Sequence, residues 1–343
     1  MTTLVVVEPG SAIRQARGAL EVSVRGRYVC SIPTANLDRL VLVGAVEVSA
    51  SARRQILDTG ASVLYLTRGG RFLGLCEPFE ARNARRRRKQ LAALQGERGL
   101  VLARALIVGK LRNQRMTLLR RQRRIADPGL AKVLVALRHA ARRAESAKDV
   151  ATLRGIEGAG SARYFDGFAT ALAHHDLAFH GRSHYPPTDP VNACLSFAYT
   201  LLLGRVIDAC WRAGLDPYAG VLHDAGRGAP ELALDLIEEW RPLVDRMVLR
   251  VVNRRQLGPR DFRAPAPEEL RGKAELADMA CYLTKLGARV IASELDAVLR
   301  VRLDHPLEGK RRTAADLVKI QAQQVAALVE ERTDVYVPVA LEH

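Results

Sequence analysis

Along the first 77 residues, short apolar runs rich in β-branched side chains alternate with Gly, Pro, Asn and Asp. The runs at 4–7, 20–24, 40–43, 63–66 and 72–76 are predicted as strands. Gly69-Gly70, between the last two, predicts a hairpin turn. One short helix is predicted over 52–58, closing near Gly60. Around Pro78 the period changes. From about Ala84 onward apolar positions recur at helical spacing, with Leu102, Leu106, Ile107, Leu111, Leu118 and Leu119 forming one stripe. Further helices are predicted near 130–146, 159–178, 190–213, 230–246, 267–300 and 312–332. Pro186, Pro187 and Pro190 interrupt the chain ahead of the third of these, and Gly214 and Pro217 close it. The pattern predicts an α+β protein: a small β-sandwich-like domain over 1–80, then a larger all-α-helical domain over 81–343.

Charge changes that picture by its location. The chain of 343 residues has a net charge of +16. Residues 1–80 hold nine basic and seven acidic side chains, and residues 125–343 hold 29 of each. Residues 81–124 hold fifteen basic and one acidic, so nearly all the excess lies on one predicted helical segment. Such a footprint suits a polyanion bound through its phosphates, largely without regard to sequence. Arg82, Arg85, Arg86, Arg87, Arg88 and Lys89 open it; Arg112, Arg115, Arg120, Arg121, Arg123 and Arg124 continue it. Taken alone, the run at 85–88 also suits a solvated linker. An aromatic content of 5% is too low for base stacking to dominate recognition.

The five cysteines are widely spaced and form no CxxC pair, so reduced thiols are expected rather than a disulfide frame or a zinc site. No apolar run is expected to reach the ~18 residues that span a membrane. The opening Met1-Thr2-Thr3 lacks a basic leader region, and a cytoplasmic protein is expected. The final Leu341-Glu342-His343 matches the remnant of an expression tag and is left out of the functional reading.

Candidate chemistry lies at Gly220-Val221-Leu222-His223-Asp224 and Asp235-Leu236-Ile237-Glu238. Asp235 and Glu238 are three apart, on one face of a predicted helix. A loop with Gly226 and Gly228 is short enough to fold His223 back over them. Imidazole with carboxylate oxygens suits Mn²⁺ or Mg²⁺. By itself an acidic pair on a helix is most often solvated surface. Upstream, Glu157 stands among Gly155, Gly158 and Gly160 at a predicted helix start. There backbone or ligand can approach closely, or the carboxylate simply favours the helix dipole.

Four motifs occur in order: Gly155-Ile156-Glu157-Gly158 with Arg163-Tyr164-Phe165, then 186–193, then 220–223, then 235–242. Together with Lys110, Asn113 and Gln114, and with 40–44, 61–70 and Gly74, they resemble the CRISPR-associated adaptation integrases over nearly the whole chain. That resemblance implies a metal-dependent endonuclease/integrase that inserts protospacer DNA into a CRISPR array by 3′-hydroxyl transesterification. It implies Glu157, His223 and Glu238 as ligands of Mg²⁺ or Mn²⁺, with Asp235 a neighbouring catalytic carboxylate. DNA contacts are expected from Arg85 to Arg88, Lys110, Arg112, Arg163, Arg182, Asn192 and Arg241. Homodimers are implied, two of them flanking a dimer of a small ferredoxin-like partner as a heterohexamer. Two other readings remain: a general metal-dependent nuclease, and a non-enzymatic helical nucleic-acid-binding protein.

Overall fold

The computed structural model describes residues 2–78, 84–172, 176–183, 185–223, 228–270, 274–305, 307 and 309–341. Arg82, Asp224, Gly226, Glu342 and His343 lie outside the described residues. The chain forms two compact units. One comprises Met1–Glu80, His184–Gly204 and Leu257–Asp296; the other comprises Ala81–Ser183, Arg205–Gln256 and Ala297–His343. Each unit is therefore assembled from three stretches of chain.

The first unit begins with β1 (Thr2–Val6), β2 (Ser11–Ala16), β3 (Ala19–Val24), β4 (Arg27–Pro33), β5 (Leu37–Val43), β6 (Glu47–Val48), α1 (Ala50–Asp58), β7 (Ser62–Leu66) and β8 (Phe72–Cys76). They form two four-stranded sheets, ordered β1-β5-β7-β8 and β4-β3-β2-β6. Ile13, Leu20 and Val22 of one sheet, Leu40, Leu42 and Val63 of the other, and Ile56 of α1 share one apolar core. The expected sandwich-like domain is present. The strands the periodicity omits are β2, β4 and β6. β4 is largely exposed, so burial never imposed an alternating pattern on it. The two-residue turns before β3 and before β4 are Arg17-Gly18 and Arg25-Gly26, with both residues at positive φ. That left-handed pair matches strand twist, but arginine in place of Asn or Asp hides it.

In the second unit, α2 (Ala84–Leu94), α3 (Glu97–Ile125), α4 (Pro128–Glu145) and α5 (Val150–Ala171) follow one another. Asp127 and Asp149 cap α4 and α5 through the backbone N–H groups of Leu130 and Thr152, each at 2.7 Å. The cap at Asp149 starts α5 nine residues before the expected 159. Glu157 consequently lies inside the helix, not at its start, and the helix-dipole account of it falls away. Gly160 and Gly167 let α5 approach α3, because a Cβ there would lie 2.5 and 2.8 Å from Leu111 and Leu118. Gly155 and Gly158 instead face open space.

α6 (Pro190–Arg212) is followed by α7 (Glu231–Ile237) and α8 (Arg241–Asn253). By length and composition α6 is apolar enough to cross a membrane, contrary to expectation, but 78% of its most apolar window is buried inside the protein. The expected helix over 230–246 is broken. Pro242 lacks an N–H and its ring crowds the carbonyl four residues back, which belongs to Glu238. The chain turns over 238–240, leaving Glu238 at the C-terminal cap of α7.

Residues 267–300 are not one helix either. β9 (Phe262–Arg263) pairs with β10 (Tyr282–Leu283), and only α9 (Lys285–Leu299) is α-helical there. β11 (Arg302–Asp304), β12 (Arg311–Thr313) and α10 (Ala314–Val329) complete the described elements. The C-terminal region is thus helical with two small antiparallel ladders, not wholly α-helical. All five cysteines are free thiols, with Cys194 and Cys210 fully buried.

Candidate active site

Three elements of the second unit bring Glu157, His223 and Glu238 together. Glu157 projects from α5 and accepts a hydrogen bond from Ser161 one turn later, at 2.7 Å. Glu238 stands at the end of α7, its side chain 7% exposed. Lys110 of α3 lies between the two carboxylates. Its ammonium contacts Glu157 Oε1 and lies 2.6 Å from Glu238 Oε2. Arg241 Nε reaches Glu238 Oε1 at 2.9 Å. His223 Nε2 is 4.0 Å from that same oxygen.

Asp235 organises the loop. Its fully buried carboxylate accepts the backbone N–H groups of Val221, Leu222 and His223 at 2.6, 3.0 and 3.1 Å. It also meets His223 Nδ1 at 2.7 Å. An ionised carboxylate only accepts, so Nδ1 carries the proton, and Nε2 is the nitrogen turned toward Glu238. Arg154 of α5 ties the same loop down, Nε to Leu222 O at 2.5 Å. Gly220 has a physical requirement: a Cβ there would lie 2.6 Å from the backbone of Glu231 at the start of α7.

Electrostatics follow from this packing. Burial works against the Glu238 carboxylate, but Arg241 and Lys110 outweigh it and hold its pKa down at about 2. Burial likewise opposes the Lys110 ammonium, and Glu238 and Glu157 more than restore it. For His223, desolvation is outweighed by the hydrogen bond and charge of Asp235, so its pKa is raised. Behind the site, Glu239 is fully buried and burial pushes its pKa up to about 7, although Tyr336, Gln321 and the Val339 N–H hydrogen-bond to it. Asn113 clamps the same segment. It donates to Glu239 O and Val339 O and accepts from Leu341 N–H, at 3.0, 2.8 and 2.9 Å. Leu341, set aside as a tag remnant, is 1% exposed and part of this packing.

Among the described residues, no three His, Cys, Asp or Glu side chains stand close enough to grip one ion as they are. The donor set nevertheless fits a divalent cation. Two carboxylates converge on one positive centre, the Lys110 ammonium, and an imidazole nitrogen oriented by Asp235 lies 4.0 Å from Glu238.

The remaining candidates are dispersed. Lys110, expected on DNA, is turned inward. Asn192 belongs to the first unit, where it is fully buried and donates to Asp189 Oδ2 at 2.6 Å. Arg182 donates to Ser183 O. Arg86 grips Glu330 at 2.7 Å and Ala213 O at 2.6 Å, and Arg87 lies 4.7 Å over the Trp211 ring. Arg85 and Arg88 are exposed, as are Arg112, paired with Glu145, and Arg163, paired with Asp166. Tyr164 is a core residue packed on Phe165 and Phe168.

A second basic feature went unseen in the sequence. A cavity of about 950 Å³ opens between α3 and α8, lined by Arg120, Arg121, Arg123 and Arg124 from one and Arg246, Arg250 and Arg254 from the other. Among the described residues no carboxylate lines it. Burial, with Arg120 and Arg250 beside it, pushes the Arg246 pKa down to about 10. Spacing at i, i+4, i+8 along α8 was the available signal, overshadowed by the denser run on α3.

The profile of the family described as CRISPR associated protein Cas1 matches residues 4–295. The chain belongs to the Cas1 family. It is 36% identical over 326 residues to the CRISPR-associated endonuclease Cas1 1 of Thermus thermophilus, covering 95% of each chain. With the CRISPR-associated endonuclease Cas1 2 of Rhodospirillum rubrum it shares 34% identity, over 98% of each. Among solved structures, a CAS1 protein from Thermotoga maritima superposes with a TM-score of 0.78 at 20% identity, over 98% of this chain and 99% of that one. A casposase bound to integration product gives 0.82 at 20% identity, over 98% and 93%. A chain of a Cas6-RT-Cas1–Cas2 complex gives 0.81 at 24% identity; this Cas1-family chain spans 36% of its length.

Proposed function

We propose that this chain is a metal-dependent DNA integrase/endonuclease that joins protospacer DNA to a CRISPR array. One observation carries the reading: two carboxylates from separate elements converge on one positive centre, with the Asp-oriented imidazole of His223 4.0 Å from one of them. Relatives of this length are named endonucleases, and one structure of the same fold holds an integration product, which supports the choice of chemistry.

Glu157, Glu238 and His223 Nε2 would hold Mg²⁺ or Mn²⁺, which when bound polarises a phosphoryl oxygen and stabilises the charge developing on it. Asp235 keeps the imidazole in the tautomer that offers Nε2 and anchors its loop to α7. Arg241, in contact with Glu238, would meet a phosphate oxygen. The arginines lining the α3–α8 cavity, with exposed Arg85, Arg88 and Arg112, neutralise the DNA backbone. In the reaction a 3′-hydroxyl of the incoming DNA attacks a phosphodiester at the repeat border. A new P–O bond forms, the old P–O3′ bond breaks, and the displaced oxygen leaves as a 3′-hydroxyl. Water in place of the attacking hydroxyl gives nicking. In the cytoplasm the chain would act as a homodimer, through its β domain, with a small ferredoxin-like partner in a heterohexamer. A solved chain of this fold belongs to a Cas6-RT-Cas1–Cas2 complex, which supports a partner subunit.

The test combines a supercoiled plasmid carrying a CRISPR array, the partner subunit and short duplexes with 3′-hydroxyl ends. Covalent joining at repeat borders is expected, and its loss in His223→Ala and Glu157→Gln. Nicking without joining favours a general nuclease. Joining unchanged by His223→Ala overturns the site.

A further inference from the structure

We infer that Lys110 is a resident counter-cation, which pairs Glu157 with Glu238 in the metal-free protein and is displaced from between them when a divalent ion is taken up. The inference rests on the metal site proposed above and adds a determinant of its affinity. Lys110 comes from α3, outside the sequence segments that carry the three ligands.

The geometry is specific. The Lys110 side chain is 6% exposed, and its ammonium touches one oxygen of each carboxylate, Glu157 Oε1 and Glu238 Oε2. Those two oxygens are therefore the ones turned toward each other. Arg241 sits on the opposite oxygen of Glu238, Oε1, and so does not stand between the pair. An ion shared by Glu157 and Glu238 needs the position that the ammonium holds.

Charge gives the same answer. Glu157 and Glu238 already face Lys110, Glu238 also faces Arg241, and Asp235 lies against His223. Adding two positive charges while keeping Lys110 in place would set four positive charges against three carboxylates in a mostly buried space. A lysine suits such a temporary role better than an arginine. Its charge is compact, it makes no planar bidentate lock, and its four-carbon stem swings. Lys110 is fixed at its base, because Asn113 and Gln114, one turn on, are buried on the same helix. Only the stem has to move. The consequence is that the free protein binds its ion against an internal competitor and takes it up weakly. An incoming phosphate, as acceptor for the released ammonium, would favour uptake.

Mn²⁺ binding to the full chain, followed by calorimetry and by the loss of the free-ion electron paramagnetic resonance signal, tests this directly. Lys110→Met keeps the stem length and removes the charge. It is expected to bind Mn²⁺ about tenfold more tightly than the wild type, equivalent to ~1.4 kcal/mol. The metal-free variant should melt lower and gain more from Mn²⁺. A folded Lys110→Met variant that binds Mn²⁺ no more tightly than the wild type overturns the inference and leaves the metal site standing. No Mn²⁺ binding by either protein, or binding untouched by Glu157→Gln and His223→Ala, overturns the metal site itself and the inference with it. A wild-type measurement guards against a variant that fails to fold. The ¹⁵N resonance of the Lys110 ammonium should shift saturably with Mg²⁺, and an unchanged resonance at saturating Mg²⁺ sinks the idea.

Discussion

Asp235 shows how much one buried carboxylate can organise. Four donors converge on it, three from the backbone of 221–223 and one from the His223 ring. Asn in its place offers one acceptor oxygen and an NH₂ that opposes N–H groups. Asp235→Asn is therefore expected to lower joining by about 10- to 100-fold, the usual cost of losing a group that orients a ligand. Thermal melting should fall as well, because buried donors lose their acceptor. Joining rates alongside melting curves check both. Glu269 in the first unit gives a cleaner pH signature. Burial raises its pKa, but the two-pronged Arg263 contact, at 2.7 and 2.8 Å, and the Ala266 N–H bring it below the ordinary 4.5. Its contribution to stability is therefore present above pH 4.5 and lost as pH falls through the lowered folded value. Glu269→Gln should melt lower than the wild type at pH 7, with the gap closing toward pH 3; a gap constant with pH refutes the assignment.

Among the elements, α5 departs most from its expected start. Its glycines suit close approach of backbone or of a ligand. The structure divides them by face: Gly160 and Gly167 pack against Leu111 and Leu118, while Gly155 and Gly158 meet nothing. Periodicity alone cannot make that division, because it depends on where α3 lies. Gly155→Ala is expected to raise stability by about 0.5–1 kcal/mol through helix propensity and chain entropy. Gly160→Val should lower it by about 1–3 kcal/mol through overpacking against Leu111. Chemical denaturation of the two variants decides, and equal shifts would contradict the packing. The break between α7 and α8 was, by contrast, written in the sequence at Pro242. That break, within the helix expected over 230–246, places Glu238 on a turn.

For the whole molecule, the excess charge has a destination. The run at 81–124 was legible as a polyanion footprint, but its residues separate on folding. Arg86 and Arg87 are engaged by Glu330, Ala213 O and Trp211. Lys110 is buried between carboxylates. Arg120, Arg121, Arg123 and Arg124 combine with α8 to line one cavity. If that cavity takes DNA phosphates, Arg246→Gln should reduce the slope of log affinity against log salt by about 0.9 for duplex DNA. Melting should hold or rise, since the substitution relieves repulsion from Arg120 and Arg250. Fluorescence anisotropy across a salt series checks the slope, and an unchanged slope removes Arg246 from the DNA path.

The sequence by itself determined the α+β order of elements and the family, and it singled out Glu157, His223, Asp235 and Glu238 as candidates. The order of elements depends on local periodicity, and the family with its candidate residues on motifs matched in order along the chain. Only the tertiary structure decided that Asp235 orients His223, that Gly220 lets the loop lie against α7, and that Lys110 stands between the carboxylates. Lys110 and Glu157 are 47 residues apart, and Lys110 and Glu238 are 128 apart, so no local pattern joins them. Their meeting depends on how α3, α5 and α7 pack. Packing also turned a lysine expected on the DNA-binding face into the cation at the centre of the site.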